Sequence, residues 1–290
     1  MQLFASGGPQ PDYLPANGWP NRHVIQVGFC KTNGNDLSRF RWCKTYGHAT
    51  ARPVPVTFAI HPCQKMASTY PGKLYWMCNF DPESPGTVMD RMRACRDQGA
   101  VGVGELMVNR WTDDPFLQEV FRCAEKLEMP VTFHMSPEPG FSYGICDRPG
   151  LPLLEESLQR YPNLRFFGHS PVFWQEISAD CLKEGNERRS GMGKGKVIPG
   201  RIWELMEKYP NLYGNLSAMS GSMAILRDVE HGLRFLETWQ DRLCFATDTM
   251  NRHEIFPLGQ FLDEQMSMGT LSRTAYEKIT FGNARAIYHI

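Results

Sequence analysis

Four ionisable side chains sit in the same local setting at four separated places in the chain. His134 ends the run PVTFH, His169 ends RFFGH, Asp248 ends LCFATD and Glu105 ends VGVGE. Imidazole nitrogens and carboxylate oxygens are the donors that zinc and other divalent metals take from proteins, and both groups can exchange protons in catalysis. Two histidines and two carboxylates brought to one point would therefore make a metal-ligand set that carries its own acid and base. Each residue alone has a plainer explanation, as a loop cap or a hydrogen-bonded core group. Glu105 could simply pair with a cation such as Arg110. It is the recurrence of the setting that argues for chemistry. Of the remaining histidines, His23, His48 and His61 read as loop or surface residues. His231, His253 and His289 lie away from strand ends and stand outside the set.

For the four to meet, the runs that carry them must be parallel strands of one sheet. A short pattern repeats three times, at Tyr70-Pro71-Gly72, Tyr161-Pro162-Asn163 and Tyr209-Pro210-Asn211. Each precedes an apolar, aromatic-rich or β-branched run: LYWMCNF, RFFGH and LYGNLSA. The second and third follow stretches of helical character, LPLLEESLQRY and RIWELMEKY. Proline with Gly or Asn stops a helix and turns the chain, so the unit reads helix, tight turn, strand. AVGVGEL (100–106) follows the helix TVMDRMRACRDQG, which ends in Gly99. PVTFHM (130–135) follows PFLQEVFRCAEKLEM, where Phe116, Val120, Cys123, Ala124 and Leu127 fall at helical spacing. LCFATDT (243–249) follows the segment from Glu230 to Gln240, and HVIQVGF (23–29) and PVTFAI (55–60) are further strand candidates upstream.

Strands and helices thus alternate from about residue 74 to 249, giving six βα units without a hairpin signal. That order implies a parallel sheet, and near-continuous apolar strands imply burial on both faces. About eight strands in this length favour an α/β fold of one domain over residues 1–290: a closed, TIM-like (β/α)8 barrel rather than an open doubly wound sheet. Residues 1–22 read as an irregular N-terminal segment and 185–200 as a mobile loop. In such a barrel the C-terminal strand ends share one rim, where active sites lie.

Several function classes are disfavoured. No G-x-G-x-x-G opens a helix, and the Gly/Lys-rich stretch 185–200 lacks G-K-[ST], so neither a dinucleotide fold nor a phosphate loop is indicated. Lys+Arg and Asp+Glu both number 31, with no basic stripe to suggest nucleic acid or a membrane surface as partner. Nothing approaches the roughly 18 apolar residues of a transmembrane helix, and the Pro/Gly-rich N-terminus is unlike a secretory signal. The nine cysteines are scattered without a C-x-x-C pair, which points to reduced thiols in a cytoplasmic protein. Several, in runs such as MCNF and LCFAT, read as small hydrophobes.

The stretch from about Tyr70 to Ile290 resembles the amidohydrolase-related family, in the branch of the aminocarboxymuconate semialdehyde decarboxylase-like metal-dependent hydrolases. The phrases that carry it are YPGKLYWMCNFDP, VGVGE, PVTFHMSP, NLRFFGHSP, YPNLYGNLSA, LCFATD and YEKITFGNARAIY, in the expected order over roughly three-quarters of the chain. GHSP alone would be weak; the ordered series is specific. The resemblance implies a metal-dependent hydrolase-type barrel holding a divalent ion, zinc first among the candidates. It implies that His134 is a metal ligand from the family's fifth strand and His169 the histidine of the sixth. Asp248 becomes the eighth-strand aspartate that touches the metal and handles protons. Glu105 takes the fourth-strand place, which in some branches bridges two metals. Members open with an H-x-H pair on strand one, yet none of the eight histidines here are two residues apart, and HVIQVGF looks like the family's second strand. Either the first βα unit is missing or irregular, or the site has diverged and binds metal more weakly.

The expected activity is hydrolysis, or non-oxidative decarboxylation, of a small carbonyl or carboxylate compound through metal-activated water. Asp248 would be the general base, and His169 would stabilise or protonate developing oxyanion charge. The segments FHMSPEPGFSYG and SPVFW would suit a flat or apolar substrate, although such residues are more often packing. Two other readings stand beside this one. The first is a catalytically inactive barrel that serves as a binding or assembly module, for want of the H-x-H pair. The second is a metal-free barrel using Glu105, His169 and Asp248 for acid–base chemistry on a sugar or lactone. A homodimer would accord with the resemblance.

Overall fold

Backbone pairing follows from composition. The runs rich in Val, Phe and Leu become strands because both their faces are covered, which suits parallel pairing. The structure, a computed structural model, describes residues 57–83, 86–181, 193–248 and 256–290. The strand candidate HVIQVGF, residues 1–22, residues 185–192 of the expected mobile loop, and His23, His48 and His253 lie outside it. Strands β1 (Trp76–Cys78), β2 (Ala100–Leu106), β3 (Val131–Ser136), β4 (Ile145–Cys146), β5 (Phe166–His169), β6 (Leu212–Asn215) and β7 (Leu243–Cys244) form one sheet. Its order is β1-β2-β3-β5-β6-β7, with β4 beside β3, and every pair is parallel. Among the described residues the sheet runs from β1 to β7 without closing.

Helices link the strands where caps and apolar faces dictate. Helix α1 (Thr57–Thr69) precedes β1, and α2 (Val88–Asp97) begins where the Thr87 hydroxyl accepts from the Asp90 N–H at 3.1 Å. In α3 (Pro115–Lys126), Asp114 accepts from the Phe116 N–H, Pro115 opens the first turn, and Leu117, Val120, Phe121 and Ala124 are buried. Helices α4 (Pro152–Arg160) and α5 (Pro171–Gln175) also open on proline. The chain continues through α6 (Arg201–Lys208), α7 (Ala218–Leu226), α8 (Val229–Thr238), α9 (Pro257–Met268) and α10 (Arg273–Glu277) to α11 (Asn283–Tyr288). Edge-to-face pairs knit sheet to helices: Phe121 with Phe166 at 5.1 Å and Phe133 with Phe173 at 5.9 Å. Phe173 and Trp174, read above as possible mouth residues, are fully buried core. No helix of the described residues is long and apolar enough to cross a membrane.

Three expectations need correction. PVTFAI is not a strand, because α1 begins at Thr57 inside it and seats Met66 in the core. Strand propensity describes fit to a half-buried pleat, and this segment runs unbroken into a helix instead. The strand expected over 243–249 stops at Cys244. Beyond it the Phe245 N–H donates to Ile279 O, and Thr247 O accepts from Ala218 N, so the backbone bonds leave the sheet. β4, two residues long, was not foreseen.

His231 shows why a histidine away from strand ends still constrains the protein. It is buried on α8, with its Nε2 accepting from Trp203 Nε1–H at 2.7 Å. The proton therefore sits on Nδ1, which has no partner among the described residues. Burial, with the nearby Arg234 charge, pulls its pKa down to about 4. In the unfolded chain it lies near 6.5. Between those values the unfolded state binds the extra proton, so this stability is complete above pH 6.5 and is lost as pH falls towards 4. The contribution is roughly 3 kcal/mol. Urea unfolding at pH 7 and pH 4.5 should show a smaller difference for His231→Gln than for the parent; equal differences would refute the assignment.

Candidate metal centre

Register places the histidines together. β3 and β5 pair in parallel with His134 opposite His169, and adjacent strands lie about 4.8 Å apart. The two rings stand 5.5 Å apart, edge to face. Glu105 arrives from the other side, on β2. The β2–β3 register shifts between Val103 and Leu106, an irregularity that re-aims a side chain at a rim. Gly104 makes this possible: its φ is +146°, and a Cβ there would lie 2.7 Å from Thr132 O.

The result is a compact group. Glu105 Oε1 lies 2.7 Å from His134 Nδ1 and 3.7 Å from His169 Nε2. Asp248 Oδ2 lies 3.7 Å from the same His169 Nε2. Asp248 reaches it from irregular backbone after β7, in a left-handed conformation with φ +51° that aspartate tolerates better than most residues. All four sequence candidates are thus brought together. Arg110, the plainer partner considered for Glu105, is paired with Asp114 at 3.3 Å instead.

The electrostatics of Glu105 follow from burial opposed by the two histidines beside it. Burial works to raise the Glu105 carboxyl, but the His134 hydrogen bond and the two imidazoles outweigh it and hold it down at about 2. Glu105 is therefore a carboxylate at neutral pH. Its oxygen, with one nitrogen from each of His134 and His169, forms a donor group whose atoms all lie within 4.8 Å of one another. Ligands about 2.1 Å from a shared ion are themselves about 3–3.5 Å apart. The spacing, with Asp248 beside it, fits a divalent ion, and mixed oxygen and imidazole donors suit zinc, manganese or iron.

Three further residues support the group and were not singled out from sequence. The Asn79 side-chain amide donates to Glu105 O at 2.5 Å, tying β1 to the carboxylate's own backbone. The Tyr143 ring packs on His134 with centroids 4.2 Å apart. Ser217 precedes α7, yet its hydroxyl makes no cap bond; it meets His169 Nδ1 at 2.9 Å, with both residues buried. A hydroxyl can donate or accept, so it fixes the ring while Nε2 faces the carboxylates. Only the segment containing Tyr143 drew attention beforehand; Asn79 and Ser217 lie in runs read as strands. Replacing Ser217 by alanine removes the buried hydroxyl from Nδ1, at an expected cost of roughly 1–3 kcal/mol in urea unfolding. A change within error would mean the bond contributes nothing.

Comparison with known proteins places the fold. No curated protein matches the chain. An uncharacterised TIM-barrel protein of Bordetella bronchiseptica is similar with a TM-score of 0.50 and 17% identity, over 79% of this chain and 72% of that one. The 5-carboxyvanillate decarboxylase of Novosphingobium aromaticivorans, complexed with manganese and 4-hydroxy-3-methoxy-5-nitrobenzoic acid, gives 0.53 and 15% identity, over 81% and 70%. The parallel α/β sheet is thus of the TIM-barrel class. Residues 61–290 match the family model described as amidohydrolase, and the chain belongs to that family.

Proposed function

We propose that this protein is a metal-dependent hydrolase or non-oxidative decarboxylase acting on a small carbonyl or carboxylate compound. One observation carries the reading: Glu105, His134 and His169, from three neighbouring parallel strands, present their donor atoms within 4.8 Å of one another. His134, Glu105 and Asp248 would hold the ion, with His169 in reach. Zinc is the first candidate from the donor set, and manganese is the ion named in the Novosphingobium enzyme complex. When bound, such an ion polarises a carbonyl or carboxylate oxygen and acidifies water.

The chain's own groups do the rest. Asp248, held in the same space as His169 Nε2, takes the proton from attacking water as the new bond to carbon forms. His169, steadied at Nδ1 by Ser217, presents Nε2 to the charge that develops on the substrate and stabilises or protonates it. In decarboxylation the same pair would deliver a proton to the carbon that loses carbon dioxide. The Tyr143 ring shields His134 and offers a flat surface beside it. An inactive barrel used for binding or assembly draws no support from a rim where four ionisable groups converge.

The test is turnover by metal-stripped protein reconstituted with zinc or manganese. Aromatic carboxylic acids and lactones serve as substrates, with carbon dioxide release and ring opening followed separately. Turnover on one class, lost on chelation and restored by metal, is expected. Turnover that survives exhaustive chelation would replace this reading with metal-free acid–base chemistry by Glu105, His169 and Asp248.

A further inference from the structure

Backbone strain sits directly beside the metal rim. Ser170 follows His169 and has φ +100° and ψ 162°, a combination essentially confined to glycine. Pro171 accounts for the extended ψ. The turn lays Phe173 back over β5 so closely that a Cβ on Gly168 would lie 2.2 Å from Phe173 Cζ. Glycine would make this turn with less strain. Serine brings a hydroxyl instead, and the whole residue is buried.

That hydroxyl lies between the two strands that carry the histidines. The Val131 N–H of β3 points towards β5 and donates to Arg165 O. Alternation along the ladder aims the Met135 N–H the same way, and it meets Ser170 Oγ at 3.1 Å in place of a backbone carbonyl. The same oxygen accepts from the Phe173 N–H at 3.4 Å, at the start of α5. The β3–β5 ladder ends on the pair His134 and His169. One step beyond it, the residue after each histidine is therefore bonded to the residue after the other.

We propose that Ser170 is a positioning residue of the metal centre, whose hydroxyl clamps β3 to β5 and sets the spacing of His134 and His169. This rests on the metal-binding reading above. Without the clamp the two strand ends can splay, and the imidazoles lose the separation at which both meet Glu105 Oε1.

The experiment compares Ser170→Gly and Ser170→Ala with the parent. Both lack the hydroxyl, but only glycine releases the strained φ, so the glycine variant should unfold at the higher urea concentration. Metal affinity should not follow that order. In calorimetric titration with manganese or zinc, both variants should bind about tenfold or more weakly than the parent. Affinity equal to the parent's in either variant, or affinity that tracks the urea midpoint, would overturn the proposal. A second readout needs no metal: the proton held between His134 Nδ1 and Glu105 Oε1 at 2.7 Å. Its nuclear magnetic resonance signal should move upfield in metal-free Ser170→Gly, and an unmoved signal would also overturn the clamp. A parent that takes up no metal would remove the proposed function and leave this resonance to decide the role of Ser170.

Discussion

Glu105→Gln should weaken divalent-metal binding by roughly a hundredfold or more, about 3 kcal/mol, in calorimetric titration with manganese or zinc. The reason lies in the position of one oxygen. Glu105 Oε1 is the atom shared by both histidines, at 2.7 Å from His134 and 3.7 Å from His169. It is also a full negative charge held in a largely buried setting, its pKa drawn down to about 2. Glutamine keeps the shape, and its carbonyl can still accept from His134 Nδ1–H. What disappears is the charge that offsets an incoming dication where water screens poorly. The fold should survive, since β2 is anchored by Val103 and Leu106 in the core and not by the carboxylate. Metal affinity unchanged in a variant with the parent's circular dichroism would remove Glu105 from the ligand set.

The second large effect is kinetic. Asp248→Asn should lower kcat by roughly 10²–10⁴-fold with a smaller change in KM, as expected when a general base is lost. Asparagine tolerates the left-handed backbone at this position as aspartate does, so the loss cannot be assigned to a displaced loop. Asp248 lies 3.7 Å from His169 Nε2, which puts an acid–base partner within reach of its carboxylate. Steady-state kinetics on whichever substrate class turns over, at saturating metal, would read the effect. A kcat within a factor of a few of the parent would show that Asp248 carries no essential proton transfer.

The strands carrying His134 and His169 were legible because β3 and β5 are apolar throughout and each ends on its histidine, so parallel order alone brings the two to one rim. Glu105 was legible by the same argument. The device that aims it was not, because the register shift at Gly104 depends on how closely Thr132 approaches from the next strand. Asp248 was found by the wrong route. It was read as the end of a long strand, whereas β7 stops at Cys244 and the aspartate is set by irregular backbone bonded to Ile279 and Ala218. Ser217 was hidden because a serine before a helix is ordinarily a cap, and only coordinates reveal that its hydroxyl turns to His169 instead.

The proposed function depends on one ion sitting among Glu105, His134, His169 and Asp248. Crystals soaked in manganese, with diffraction recorded on either side of the manganese absorption edge, would locate that ion directly. The account predicts one anomalous peak within about 2.0–2.3 Å of a Glu105 oxygen and a His134 nitrogen, with Asp248 or His169 completing the contact. A fully occupied manganese peak elsewhere, with the Glu105–His134 hydrogen bond intact and no density between them, would contradict it.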